Sequence, residues 1–202
     1  MLCKVCNKEI KEFYLNDLFG NKKHTVCYKC FCDFSLINKI SFIDNYECLS
    51  IYEYKDQIRD LIFQLKGLKD YELKDVFLEF IIDYLNDKYR GYTITYAPSF
   101  KDDDLKRGFN HVEAMCSLFK NKKLKLFYKK ENYKQSDQNY SNRKNINKII
   151  GLDLNKIKGL KKVLIIDDVL TSGNTLKTCA SLLYKEGIKN IKLLTISKVV
   201  EN

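Results

Sequence analysis

Long apolar runs are missing from this chain of 202 residues. None approaches the ~18 residues that a membrane-spanning helix needs, so no transmembrane segment is expected. The opening "MLCKVCNKEI" carries charges where a secretory signal has its apolar centre, so no signal peptide and a cytoplasmic location are expected. Histidine is scarce: His24 lies among cysteines and His111 near the start of a helical stretch, and neither stands at the address of a general base. No GxxxxGK[ST] loop occurs, which excludes a Walker-type nucleotide site, and no GxGxxG occurs, which excludes the usual dinucleotide turn. Phosphatases of the haloacid type place one residue between two aspartates, whereas Asp167 and Asp168 are adjacent. Beyond two CxxC pairs there is no internal repeat.

What is present begins with a composition that can fold. Hydrophobic residues make up 45%, enough for a packed core and too many for wholesale disorder. The chain has length for one sizeable domain and a small appendage. Its eight cysteines do not read as a disulfide scaffold, because four have metal spacing. Cys3 and Cys6 are followed by Cys27 and Cys30, in the pattern C-x2-C-x20-C-x2-C. Each CxxC bend lets two thiolates share one tetrahedral ion, so structural Zn2+ is expected, closed to catalysis by its four protein ligands. His24 and Cys32 lie near enough in sequence to be substitute ligands. Cys48, Cys116 and Cys179 read as small core residues.

The net charge is +10, unevenly spread. Residues 120–148 hold ten Lys/Arg against Glu131 and Asp137, interleaved with Phe127, Tyr128, Tyr133 and Tyr140. Cations neutralise phosphates and rings stack on bases, so the stretch suits single-stranded nucleic acid; a solvated loop in a lysine-rich chain is the plainer reading.

Residues 46–54 read as a strand or hairpin arm. Ile58, Leu61, Ile62 and Leu65 fall at helical spacing, with Gly67 as the stop. A one-sided apolar stripe continues through 71–89 over about five turns of helix. A strand over "YTITYAPS" ends at the single proline, Pro98. A helix is expected over 109–120, a strand over 124–128, and a long polar loop over 129–148. Strand 163–167, helix 175–186 with Gly187 as its C-cap, and the strand "IKLLTISKV" complete the pattern. Strands alternating with helices predict an α/β fold with a doubly wound parallel sheet.

The stretch "VLIIDDVLTSGNT" carries the sharpest chemistry. Four apolar residues form a buried strand, and "TSGNT" is a tight turn opening a helix whose first N–H groups lack partners. Such a turn attracts phosphate while carboxylates repel it. A ribose 5-phosphate unit satisfies both: Asp167 and Asp168 accept from its hydroxyls, and the loop amides with Thr171, Ser172 and Thr175 hold its phosphate. Gly173 allows close approach of the backbone.

That stretch resembles the phosphoribosyl-pyrophosphate (PRPP) signature of type I phosphoribosyltransferases. The four-cysteine ribbon, "YKDQIRDLIFQLK", "ITYAPSFKDDDLKRGFNHVEAM" and "QSDQNYSNRKNI" extend the likeness over nearly the whole chain, in an order similar to the ComF (ComFC) family, which accompanies natural transformation and DNA uptake in bacteria. The resemblance implies a type I phosphoribosyltransferase-like domain over 46–202 behind a zinc-ribbon module over 1–45. It implies that Asp167 and Asp168 bind ribose, that Thr171, Ser172, Gly173, Asn174 and Thr175 bind the 5′-phosphate, and that the turn at Ala97, Pro98 and Ser99 receives pyrophosphate. Arg107 and Asn110 stand nearby, and Gln138, Arg143 and Asn145 fall in the loop that covers the site. Mg2+ would bridge pyrophosphate and ribose hydroxyls, with Arg107 stabilising departing charge. The chain departs from the family pattern at Tyr96, Ala97, Ser172 and Asn174, and His111 stands where the family shows glutamine. The function implied is a competence protein that binds single-stranded DNA and PRPP or ribose 5-phosphate, with a helicase-like ComFA partner. A phosphoribosyltransferase acting on an unknown acceptor is the alternative.

Overall fold

The computed structural model describes residues 1–10, 24–130 and 149–200. The central sheet is built from β1 (Leu36–Ile43), β2 (Tyr46–Glu53), β3 (Thr93–Tyr96), β6 (Lys162–Leu170) and β7 (Asn190–Lys198), in the order β1-β2-β7-β6-β3. The pairs β2/β7, β7/β6 and β6/β3 are parallel, while β1 and β2 form an antiparallel hairpin. The sheet is therefore mixed and mostly parallel. Strands β4 (Phe127–Lys129) and β5 (Ile150–Leu152) form a separate antiparallel pair.

Both faces of the sheet are covered, which is why its central strands read as unbroken apolar runs. Leu164 and Ile166 of β6 face a layer made by α2 (Asp56–Lys66), α3 (Ile82–Lys88) and α5 (His111–Met115). Val163 and Ile165 face the opposite layer, formed by α6 (Asn174–Lys185) with Phe127 and Ile150. Helix α6 ends as expected. Gly187 takes φ +87° and its N–H donates to the Tyr184 carbonyl, while the Ile188 N–H donates to that of Leu183, a Schellman closure.

Four expectations shift. The stripe over 71–89 is not one helix: a 3-10 turn at Tyr71–Asp75 gives way to further turns before α3. Val76, Phe77 and Leu78 are all buried, which one helical face cannot achieve for three consecutive residues. The helix expected over 109–120 is confined to α5, and a further, unexpected helix, α4 (Lys101–Arg107), precedes it. Gly108, at φ +88°, ends α4, and the Asn110 side chain restarts the chain by accepting from the Glu113 N–H at 2.9 Å. Strand 124–128 lies later, as β4, and β6 runs on to Leu170, past the expected end at 167. Most of the polar loop, 131–148, lies outside the described residues, together with Gln138, Arg143 and Asn145.

The N-terminal segment, with its short helix α1 (Tyr28–Cys32), packs on the α2 layer. Cys3, Val26, Cys30 and Phe34 belong to the same apolar cluster as Leu61 and Phe77. Phe31 stacks on Phe80 at 4.4 Å, and Phe34 meets Tyr52 edge-on at 5.7 Å. Glu79 ties the two parts, accepting from Thr25 N–H (2.9 Å), Thr25 Oγ1 (2.6 Å) and Val26 N–H (2.8 Å). Burial nonetheless raises the Glu79 carboxyl. The Sγ atoms of Cys3, Cys6, Cys27 and Cys30 lie within 4.8 Å of one another, a cluster that can hold a metal ion. Cys6 and Cys27 are 3.9 Å apart, close to the ~3.8 Å separating sulfurs on a tetrahedral ion with 2.3 Å Zn–S bonds. Burial alone would raise the Cys3 thiol, but N–H groups of Cys27, Cys6 and Val5 outweigh it and bring it down to about 7. Neither substitute ligand joins the cluster: His24 stacks on Phe80 at 4.9 Å and Cys32 is exposed.

Two outcomes follow from this packing. Metal analysis of the purified chain is expected to return about one zinc per chain, lost in Cys27→Ser; a freshly reduced chain without metal would contradict the assignment. Glu79→Ala leaves two N–H groups and a hydroxyl without their acceptor and should cost about 3 kcal/mol in chemical denaturation, whereas an unchanged midpoint would show that this tie carries nothing.

Candidate functional site

Strand β6 outlasts its neighbour. The β3 pairing ends at Tyr96 with Ile166, the Ala97 N–H donates to the Ile166 carbonyl at 2.8 Å, and Pro98 then takes the chain away. On the other side β7 stays paired, from Thr195 opposite Asp167 to Lys198 opposite Leu170. A crevice opens at the carboxyl edge of the sheet, where doubly wound folds receive ligands. It encloses about 180 Å³, and its walls include Asp167, Asp168, Pro98, Arg107 and Thr175. These sequence-predicted residues are thus brought together.

Adjacent residues of a strand point to opposite faces, and this separates the two carboxyls. Asp168 shares the face of Ile166 and meets a histidine and a lysine from the helical layer. His111 Nε2 and Lys66 Nζ each lie 3.0 Å from its Oδ2, and the Val169 N–H donates to its Oδ1 at 2.8 Å. Burial would raise this carboxyl, but the His111 hydrogen bond and the Lys66 charge outweigh it and hold Asp168 below the usual carboxylate range. Asp167 turns toward Lys129 and the α6 side. Burial first, and then the Asp168 charge, push its carboxyl well above the usual range. A pair of identical side chains is thereby split into one firmly ionised acceptor and one that holds its proton more tightly.

The cations are fixed from three directions. Lys66 ends α2. Lys129 comes from β4, lies 4.1 Å over the Phe100 ring, and has its ammonium lowered by burial. Arg107 ends α4 and is pinned: its Nε donates to the Lys66 carbonyl (2.9 Å), and its guanidinium donates to Asp104 Oδ1 and to His111 Nδ1 (both 3.2 Å). Beneath the Pro98 turn, Ser99 Oγ donates to Asp104 Oδ2 (2.6 Å), and the Asn110 amide donates to Ser99 Oγ (2.7 Å).

After Leu170, Thr171 and Ser172 are exposed in a short turn into α6. Gly173 is the residue before the helix at φ +70°, and a Cβ there would meet Ile43 Cδ1 at 3.0 Å, so both backbone and space require glycine. No acidic residue occupies the first turn of α6, and among the described residues no side chain caps it. Its amides and positive dipole end are therefore directed at the edge of the crevice by Thr175. Thr171 lines a second cavity of about 520 Å³, reached past Asp168 and walled by Tyr54, Ile62 and Phe63. Ser172, Gly173 and Asn174 connect the two without standing in either wall.

Sequence reasoning missed Lys66, Lys129 and His111. The first two lay in stretches rich in lysine, with nothing local to single them out. His111 follows "RGFN" directly, and its closeness to Arg107 was the available signal.

A phosphoribosyl transferase domain is matched over residues 105–199. Competence protein ComFC of Streptococcus pneumoniae (strain ATCC BAA-255 / R6) is 30% identical over 152 residues, covering 73% of this chain and 66% of that protein. Among solved structures, a hypoxanthine phosphoribosyltransferase from Staphylococcus aureus is 15% identical, with 72% and 69% of the two chains covered and a TM-score of 0.36. A hypoxanthine-guanine phosphoribosyltransferase from Bacillus anthracis str. 'Ames Ancestor' is likewise 15% identical, with 72% and 73% covered and a TM-score of 0.34. Such distant likenesses carry no weight on the chemistry. The matched domain begins within α4 and contains the whole run from Asp167 to Thr175, and with the identity to the streptococcal protein it places the chain in the ComFC family.

Proposed function

We propose that the chain binds a phosphoribosyl ligand, PRPP or a ribose 5-phosphate unit, in the crevice at the end of β6, and handles single-stranded DNA as a competence protein inside the cell. The observation that carries the ligand reading is the polarity of the crevice. Acceptors on Asp167 and Asp168 and the cations Arg107, Lys66 and Lys129 line one crevice, whose walls also hold the Pro98 turn and Thr175 of the α6 N-terminus. A ligand with hydroxyls at its middle and anionic groups at both ends matches that combination. The ribose hydroxyls donate to the carboxylates, the 5′-phosphate meets the amides around residues 171–175, and a pyrophosphate meets the Pro98 turn.

Mg2+ fits this arrangement only as the ligand's companion. Oδ2 of Asp168 is already held by His111 and Lys66, and among the described residues the crevice offers no cluster of ligands for a cation. The ion would be held by pyrophosphate and hydroxyl oxygens, and it would neutralise their charge. Arg107 is too firmly held to follow a departing group. Its part is a fixed positive potential, which serves binding as well as it serves turnover.

The DNA reading is supported by the described part of the basic stretch. Lys120, Lys122, Lys125 and Lys130 are exposed, as is the ring of Tyr128, and Lys129, next to Tyr128 in the chain, lines the crevice. A strand on this surface would run to the mouth of the ribose-phosphate site. The streptococcal relative is named a competence protein, which favours DNA over a salvage substrate and makes a helicase-like ComFA partner the natural companion, with the cysteine module as a contact surface.

Calorimetric titration with PRPP and Mg2+ tests the crevice. Asp167→Ala combined with Asp168→Ala should abolish binding while bound zinc stays unchanged; retained binding in that double variant would refute the assignment. For DNA, a labelled oligonucleotide that releases counterions from about four phosphates should lose roughly fiftyfold in affinity between about 50 and about 200 mM salt. Salt-independent binding, or none, would refute the DNA reading. PRPP binding with pyrophosphate release on some base, and no DNA binding, would instead favour a phosphoribosyltransferase.

A further inference from the structure

We infer that His111 is a positioning residue of the crevice. One imidazole holds Arg107 at one nitrogen and Asp168 at the other, and so fixes where the sugar-hydroxyl acceptor stands relative to the guanidinium. The inference rests on the phosphoribosyl reading proposed above.

The hydrogen bonds define the tautomer. A guanidinium has only donors, so Arg107, 3.2 Å from Nδ1, makes that nitrogen the acceptor. The ring hydrogen then sits on Nε2 and is donated to Asp168 Oδ2 at 3.0 Å. Lys66 closes the circuit, donating to the same oxygen at 3.0 Å while its carbonyl accepts from Arg107 Nε at 2.9 Å. Lys66, Asp168, His111 and Arg107 thus form a closed ring drawn from α2, β6, α5 and α4. His111 is 5% exposed, and the Asn110 cap sets the start of its helix. A displaced imidazole removes the direct link between carboxylate and guanidinium, leaving Asp168 to Lys66 and Arg107 to Asp104 and the Lys66 carbonyl.

The role needs one acceptor and one donor about a ring's width apart. A glutamine amide offers both without a titrating proton, and alanine offers neither. A protonated imidazole has two donors, so its Nδ1 would oppose Arg107. The charges around it are Arg107 with its partner Asp104 on α4, Asp168 and Asp167 on β6, Lys66 on α2 and Glu113 on its own helix, with Lys129 across the crevice.

The test uses the full chain as wild type, His111→Gln and His111→Ala, each checked for folding and bound zinc. The chain has only two histidines, so long-range 1H–15N spectra of the free protein assign their tautomers directly. His111 should carry its hydrogen on Nε2, and a hydrogen on Nδ1 would overturn the inference. In titrations with PRPP and Mg2+ at about pH 8, His111→Gln should stay within about threefold of wild type, and His111→Ala should weaken binding about tenfold or more. Equal affinities for wild type and His111→Ala, or a His111→Gln variant as weak as His111→Ala, would overturn the inference. A wild-type chain that takes up no PRPP overturns the crevice reading and this one with it, whereas PRPP uptake that His111→Ala preserves overturns only the role of His111.

Discussion

A strand that runs past its neighbour leaves polar backbone and side chains at a sheet edge, and the chain must satisfy them. Here β6 continues from Asp167 to Leu170 after β3 has turned away at Pro98. Asp168 would be a nearly buried charge without compensation, a costly arrangement. The His111 and Lys66 hydrogen bonds to a single oxygen make it tolerable, and they also hold Asp168 ionised where an acceptor for hydroxyls is required. Other features of the crevice follow from this. Lys66 must end α2 at that point, α4 must stop at Gly108 so that α5 can present His111, and Arg107 is held by both neighbours. The polar contacts that stabilise the edge are also those that shape the site.

The ring ties elements that are far apart in sequence, and the second attachment of the fold works the same way. Glu79 grips the Thr25–Val26 backbone just ahead of Cys27, so the four-sulfur cluster is anchored to the helical layer that carries Lys66. Metal at the cysteines would therefore stiffen the layer on which the Asp168 side of the crevice rests. β1, from the same N-terminal segment, adds the outer strand of the sheet, and its last residue, Ile43, packs against Gly173 at the start of α6.

Much of this was legible beforehand because it is local. The run from Val163 to Thr175 shows its strand, its carboxylates and its turn in consecutive residues, and the cysteine spacing announces a four-sulfur cluster. Helix α6 and its glycine closure follow from periodicity and from Gly187 alone. What could not be read was set by contacts distant in sequence. The stripe over 71–89 breaks because Phe77 is needed at the sheet, where the Tyr52 hydroxyl donates to its carbonyl at 2.8 Å. His111 looked idle because its partners stand on β6 and α4, and Lys66 looked like one more surface lysine. The unequal carboxyls of Asp167 and Asp168 are likewise invisible in sequence, since strand alternation sends two identical neighbours into different surroundings.

The central claim is that the open edge of β6 takes a sugar by its hydroxyls and its phosphate by the following turn. A crystal structure of the chain with PRPP and Mg2+ tests this most directly. The account predicts ribose hydroxyls within hydrogen-bond distance of Asp167 and Asp168, the 5′-phosphate on the amides of residues 171–175, and the His111 ring still joining Arg107 to Asp168. A ligand bound elsewhere with the crevice left to solvent, or one seated with its phosphate away from that turn, would contradict it.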